Sequence, residues 1–388
     1  MTSDVPAASA AAPRGQRLQG RFGDDVVLLT GFPSDRARAL LGLLLEREPE
    51  ISLWLVVPPD QLETAARSVP GHAGLADRVR LIPGEPCAID LGLSRQTYAE
   101  LASRVDRWFS LYQTTDPRIS RELGLRVNLG AAREVTELSR VAERLGHVTF
   151  LSSSTVFGDH QGAVNEEDLA LGQNFRSAAG AALAVAEALL RRNLAEVPVS
   201  IVRTPQVLGA RGGERIPRPT GLHRLLAVLA SAPADVALPL PPGANRPVQA
   251  VPADFVAEAL YAVSALGTRG HAYHFADPDP ASLLDVLQRA SAHFGRRFEQ
   301  TGGARALGRL LLRSPGFWLS QQGARALSEW AEGPQLLTRA GDRLLERAAL
   351  RAPSLLDYLS SVFAETEQLL EGGRIEEPAA QTPFGAVA

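Results

Sequence analysis

A chain of 388 residues, 45% hydrophobic and 21% charged, suits one large α/β domain with additions, or two domains. Its net charge of -3 lacks the basic surplus of a general nucleic-acid binder, and no apolar run is long enough to span a bilayer. A single cysteine, Cys87, excludes an internal disulfide framework and points to a reducing cytoplasm, while all 40 basic side chains are arginine and none is lysine.

In chain order, Met1 to Gln19 is Ala-rich and lacks the basic-then-apolar layout of a signal peptide, so residues 1–22 are expected to be a disordered tail. Asp25–Gly31 is a short apolar run ending at a turn signal and predicts a buried parallel strand, followed by a leucine-rich helix over Arg36–Glu46. Further strands are expected at Ile51–Val57, Val79–Ile82, Trp108–Leu111, His147–Leu151 and Val199–Val202. Helices are expected at Tyr98–Val105, Leu125–Leu145, Ala178–Leu194, Ala253–Leu266 and Ser282–Phe294. This alternation predicts an α/β fold, a doubly wound parallel sheet with right-handed crossovers, over residues 23–300. The Gly/Pro-rich stretch 207–250 reads as irregular, within a substrate lobe interleaved over about 205–300. Residues 301–372 read as a helical extension or lid, and 373–388 as a tail.

Within that extension Arg305, Arg309 and Arg313 form one helix stripe ahead of Phe317 and Trp318, a pattern that suits a packed lid better than contact with a membrane surface. No metal site is expected: His271 and His274 lack a Cys or acidic partner at ligand spacing. Gly209–Gly213 lacks the strand-to-helix context of a phosphate loop. Arg203, at the end of a strand, reads as a structural ion-pair residue.

Several segments in order carry a resemblance: "LLTGF", "RVRLIPGEPCAIDLGLSRQTYAELASRVD", "RVNLGAAREVTELSRVA", "FLSSSTVFGD", "VSIVRTPQVLG" and "VPADFVAEAL". Together, over roughly residues 25–300, they resemble extended short-chain dehydrogenases of the thioester-reductase and fatty-acyl-reductase (male-sterility) type. The resemblance implies a Rossmann-like fold, an NAD(P) cofactor, and reduction of a thioester or carbonyl by a serine, tyrosine and lysine. It also implies pairing through the Ala178–Leu194 and Leu125–Leu145 helices.

Against that frame the chain departs at many positions. The glycine signature TGxxGxxG stands as Thr30-Gly31-Phe32-Pro33-Ser34-Asp35-Arg36-Ala37, with Ser34 and Ala37 at the second and third glycine positions. Pro33 lacks an N–H, and Asp35 adds negative charge beside the expected pyrophosphate. The cofactor positions the resemblance implies are Gly31, Ser34, Glu85 and Asn128, with Tyr112-Gln113 where small residues are expected. Ser153 takes the catalytic serine's place, but Ala179 and Leu183 stand at the tyrosine and lysine positions. No tyrosine lies between Ser153 and Tyr261, and a side chain that cannot titrate cannot protonate an alkoxide. No histidine or GxSxG elbow makes Ser153 a nucleophile.

The expected function is therefore that of a non-catalytic ligand-binding, scaffolding or partner subunit with no cofactor. The alternatives are a divergent NAD(P)-dependent reductase and a dinucleotide-sensing regulator. The expected partners are a second copy or an intact relative, and an acyl or small-molecule ligand.

Overall fold

The apolar runs become strands because their residues are wanted on both faces of one sheet. The computed structural model describes residues 25–70, 78–210, 221–231, 237–239, 244–299 and 333–372. Seven parallel strands form the sheet: β1 (Val26–Thr30), β2 (Ser52–Val57), β3 (Val79–Pro83), β4 (Val105–Ser110), β5 (His147–Ser153), β6 (Val199–Thr204) and β7 (Ala272–His274). Their order, β7-β6-β5-β4-β1-β2-β3, is doubly wound, with the switch point between β1 and β4.

Side chains alternate along each strand between two cores. Val27, Leu29, Leu53, Leu55, Phe109 and Val202 join helices α1 (Asp35–Arg47) and α7 (Ala253–Leu266) on one face. Leu28, Trp54, Trp108, Phe150 and Ile201 face the other, against α3 (Arg95–Arg104), α4 (Gly130–Val141) and α5 (Ala178–Arg192). Among the described residues the other long helices are α2 (Leu62–Ser68), α6 (Gly221–Ser231), α8 (Leu283–Phe294), α9 (Arg339–Arg347) and α10 (Leu355–Glu371). A short helix (Arg121–Gly124) and a π-helical stretch (Leu125–Leu129) run into α4.

Two expectations need correction. The stretch 207–250 is not wholly irregular, because Leu222, Leu225, Leu226 and Leu229 recur at helical spacing and form α6. Val105 is not the end of α3: buried and β-branched, it turns to extended backbone and begins β4 with no intervening loop. Within 333–372, Leu355, Leu359, Val362 and Phe363 of α10 share a core with α6 and α8. The Arg305–Arg313 stripe, residues 211–213 of the Gly209–Gly213 loop, and the two tails (1–22 and 373–388) lie outside the described residues. No helix among the described residues is long and apolar enough to cross a membrane.

Candidate functional site

The carboxyl ends of β1, β4 and β5 bring the sequence-flagged residues to one edge of the sheet. Gly31 follows β1 at φ +93°, and a Cβ there would stand 2.6 Å from the Leu111 carbonyl carbon, so close approach of the β4 end is what requires glycine. The turn then folds onto itself: the Ser34 amide donates to the Gly31 carbonyl at 3.1 Å. Ser34 is the N-cap of α1, yet its hydroxyl makes no capping bond and is buried with no hydrogen-bond partner among the described residues. Asp35 is ion-paired with Arg38 in the first turn of the helix. Burial pushes the Arg36 guanidinium below its ordinary pKa, with Asp35 opposing.

Glu85, after β3, is held from within the protein. The Tyr112 hydroxyl and the Cys87 thiol (3.3 Å) both donate to its Oε1. Tyr112 is 1% exposed and packs with Cys87, Val127 and Ala131. Burial, then the neighbouring Glu85, pushes the Cys87 thiol up to about 12. The Tyr112 phenol is also pushed up, by burial first and then by Cys87 and Glu85. Beside Tyr112, Gln113 is 2% exposed, and neither its Oε1 nor its Nε2 has a partner among the described residues.

Asn128 sits in the π-helical stretch, fully buried, as a brace. Its Oδ1 accepts from the Thr114 amide at 2.8 Å, and its Nδ2 donates to the carbonyls of Thr114 (2.9 Å) and Ala179 (3.0 Å). Ser153 ends β5 and its hydroxyl accepts from the Thr155 amide at 3.3 Å, capping the 3-10 turn Ser154–Phe157. The first turn of α5 packs on that turn so tightly that a Cβ on Gly180 would stand 2.7 Å from the Thr155 carbonyl oxygen. Ala179 and Leu183 are both fully buried, Leu183 in the apolar core. Asn128 thus meets Ala179, and the Ser153 turn meets α5. Gly31 and Ser34 are on the far side of β4, and Glu85 is tied to Tyr112.

A second polar cluster lies deeper, and residue spacing revealed only part of it. Arg203 and Glu187 form an ion pair with both side chains fully buried, at 2.7 Å, and Ser152 donates to the same carboxylate. Arg203 also donates to the Glu166 carbonyl (3.0 Å) and to His274 Nε2 (3.0 Å). His274 Nδ1 donates to the Leu337 carbonyl at 2.9 Å, so the ring is neutral with its proton on Nδ1. Burial, with Arg203 adding to it, lowers its pKa to about 3. The Glu166 carboxylate accepts from the amides of Ala340 (2.9 Å) and Gly341 (2.8 Å), capping α9 and fixing the C-terminal segment to the sheet. Among the described residues no group of His, Cys, Asp and Glu is placed to hold a metal.

The family model described as male sterility protein matches residues 37–260. No curated protein sequence matches the chain. Among solved structures, the terminal R domain from the myxalamid PKS-NRPS biosynthetic pathway aligns at TM-score 0.75 and 18% identity, covering 93% of this chain and 94% of that one. The reductase (R) domain of a nonribosomal peptide synthetase from Mycobacterium tuberculosis aligns at TM-score 0.67 and 19% identity, over 92% and 95%. UDP-glucuronic acid 4-epimerase from Bacillus cereus, in complex with NAD, aligns at 0.63 and 16%, over 89% and 99%. At these identities the likeness is one of fold, that of the extended short-chain dehydrogenases.

Proposed function

The chain belongs to the male sterility protein family, and from that premise we propose that it keeps a dehydrogenase-type scaffold without hydride-transfer chemistry, as a ligand-binding, scaffolding or partner subunit. The wall facing the Ser153 turn carries this reading. α5 offers Ala179 and Leu183 there, both fully buried and neither able to titrate. The phenol at the end of the adjacent strand β4, Tyr112, has its hydroxyl committed to Glu85 and its pKa displaced upward, and there is no lysine anywhere in the chain to lower it.

The dinucleotide that the family implies does not fit the residues as they stand. The α1 turn uses the Ser34 amide internally, Pro33 has no N–H to offer, and the Asp35 carboxylate stands in the first helical turn. Glu85 is already answered by Tyr112 and Cys87. No step of the proposed role passes through a cofactor. Isothermal titration with NADH and NADPH is expected to give neither heat nor a thermal shift. Saturable micromolar binding, with turnover of an acyl thioester or a carbonyl, would restore the divergent reductase, the reading that the matched family itself favours. Saturable binding without turnover would favour a dinucleotide-sensing regulator.

We further propose that the chain pairs, with a second copy or an intact relative, across α4 and α5. Val141 and Val185 on these helices are 53% and 47% exposed. Light scattering that finds only monomer at tens of micromolar, alone and with the candidate relative, would contradict pairing. A reducing cytoplasm suits the free thiol of Cys87.

A further inference from the structure

The amino edge of the sheet, opposite the edge that carries Gly31 and Ser153, holds an open cavity of about 560 Å³. The turns leading into three neighbouring strands build it. Leu145 precedes β5, Leu194 and Val197 precede β6, and Arg269 and His271 precede β7. Hydrogen bonds fix these turns in place: the Gly270 amide donates to the Val199 carbonyl at 2.7 Å, the Val148 amide to the Pro198 carbonyl at 2.9 Å, and the Thr268 amide to the Tyr273 hydroxyl at 2.7 Å. The cavity is therefore preformed, and its volume lies within the range of small-molecule sites, roughly 300–1,000 Å³.

Its floor and its rim differ in character. Leu145 and Val197 belong to the core on this face of the sheet, and Leu194, 38% exposed, extends the apolar floor to the mouth. Glu196 is the one carboxylate among the described lining residues, and Arg140 answers it at 2.5 Å. Arg269 is different, because its guanidinium makes no hydrogen bond or ion pair with any described residue. It reaches from the turn before β7 to the turn before β5, where Nη2 stands 3.8 Å from the position of a Cβ on Gly146. The buried His147 feels that charge: burial lowers its pKa first, and Arg269 lowers it further. Beside Arg269, the His271 imidazole donates from Nδ1 to the Arg269 carbonyl at 3.3 Å, which leaves Nε2 uncommitted.

An uncommitted guanidinium favours an anion, and its planar fork matches a carboxylate through two parallel hydrogen bonds. A bare inorganic anion would leave the apolar floor facing water, whereas the chain of an aliphatic acid would cover it. We infer that this cavity is a binding site for a small aliphatic carboxylate, with Arg269 holding the carboxylate and Leu145, Leu194 and Val197 covering the chain. The site is at the far edge of the sheet from the proposed cleft, and it stands whatever that cleft binds.

The test uses the full chain, with hexanoate as the probe and saturation-transfer NMR as the readout. The wild type should saturate with a dissociation constant of about a millimolar, as suits so small a ligand. Arg269→Gln should weaken hexanoate at least ~10-fold, the loss of a charge-assisted pair. Its melting temperature should match that of the wild type, because Arg269 is exposed and unpaired, so a misfolded variant cannot imitate a lost site. Acetate keeps the charge without the chain, and hexanamide keeps the chain without the charge; each should bind at least ~10-fold more weakly than hexanoate. Acetate or phosphate that binds as tightly as hexanoate would make Arg269 a surface charge only and overturn the assignment. So would hexanoate binding that Arg269→Gln leaves unchanged, or a wild type that hexanoate never saturates. NADPH turnover would defeat the proposed non-catalytic role and leave each of these outcomes as it was.

Discussion

Two groups of buried polar side chains lie within the same sheet and could hardly be more differently treated. In the deeper one, Ser152, Glu187, Arg203, His274 and Glu166 are closed on one another and on backbone, and none of their buried nitrogens or oxygens lacks a partner. It ties β5, α5, β6 and β7 to the start of α9. At the carboxyl edge, by contrast, the side-chain polar atoms of Ser34, Gln113 and Thr155 have no partner among the described residues. A closed network fixes structure; groups kept buried and unpartnered impose a cost. The comparison separates what Arg203 does from what Gln113 does, although sequence alone presents both as polar residues near strand ends.

The largest expected effect breaks the closed network. Glu187→Ala leaves the Arg203 guanidinium buried without its carboxylate and should cost about 3–5 kcal/mol of stability in urea denaturation. Replacing both partners, Glu187→Leu with Arg203→Met, should cost far less, about 1–2 kcal/mol, because no lone charge remains. If the double variant is as unstable as the single, the pair is not the structural unit described here. The carboxyl edge should answer with the opposite sign: Gln113→Met, close in shape but apolar, is expected to raise the melting temperature by roughly 2–6 °C, and a lower one would contradict the contrast.

Much of this was legible in the chain. Alternating apolar runs placed all of the first six sheet strands, because strands buried on both faces read as continuous Val, Leu and Ile, and the switch-point rule put Gly31 and Ser153 at carboxyl ends. The three-residue β7 is too short for periodicity to mark, and α6 was hidden because its leucines lie between Pro-rich flanks that read as loop. Arg203 read as an ion-pair residue, but its partners Glu187, Glu166 and His274 come from 16, 37 and 71 residues away, which no local pattern specifies. Asn128 stood in a recognisable segment, yet its bond to the Ala179 carbonyl depends on a π-helical turn that spacing does not announce. In the sequence Tyr112 and Gln113 read only as bulk. That one side chain is engaged by Glu85 and the other by no described residue is a property of packing.

A smaller effect tests the protonation state on which the closed network depends. His274 donates from Nδ1 and accepts at Nε2, which requires a neutral ring, and its folded pKa of about 3 lies below the unfolded value of about 6.5. A histidine so depressed binds its proton more readily when unfolded. Its contribution is therefore fully present above about pH 6.5 and is lost as pH falls from there toward about 3, at up to ~1–1.5 kcal/mol per pH unit. His147, lowered to about 4 chiefly by burial, adds a loss of the same sign. Burial raises Asp25 and Glu134, which act in the opposite direction, so the wild-type slope alone assigns nothing. His274→Asn separates the terms, because an amide can still donate to the Leu337 carbonyl and accept from Arg203 while no longer titrating. Thermal melts between pH 6.5 and 4 should show a shallower loss in the variant than in the wild type, by about one proton's worth, with His147, Asp25 and Glu134 common to both. Parallel curves would mean that His274 carries its proton in the folded protein, and the bond from Arg203 could not then be as described.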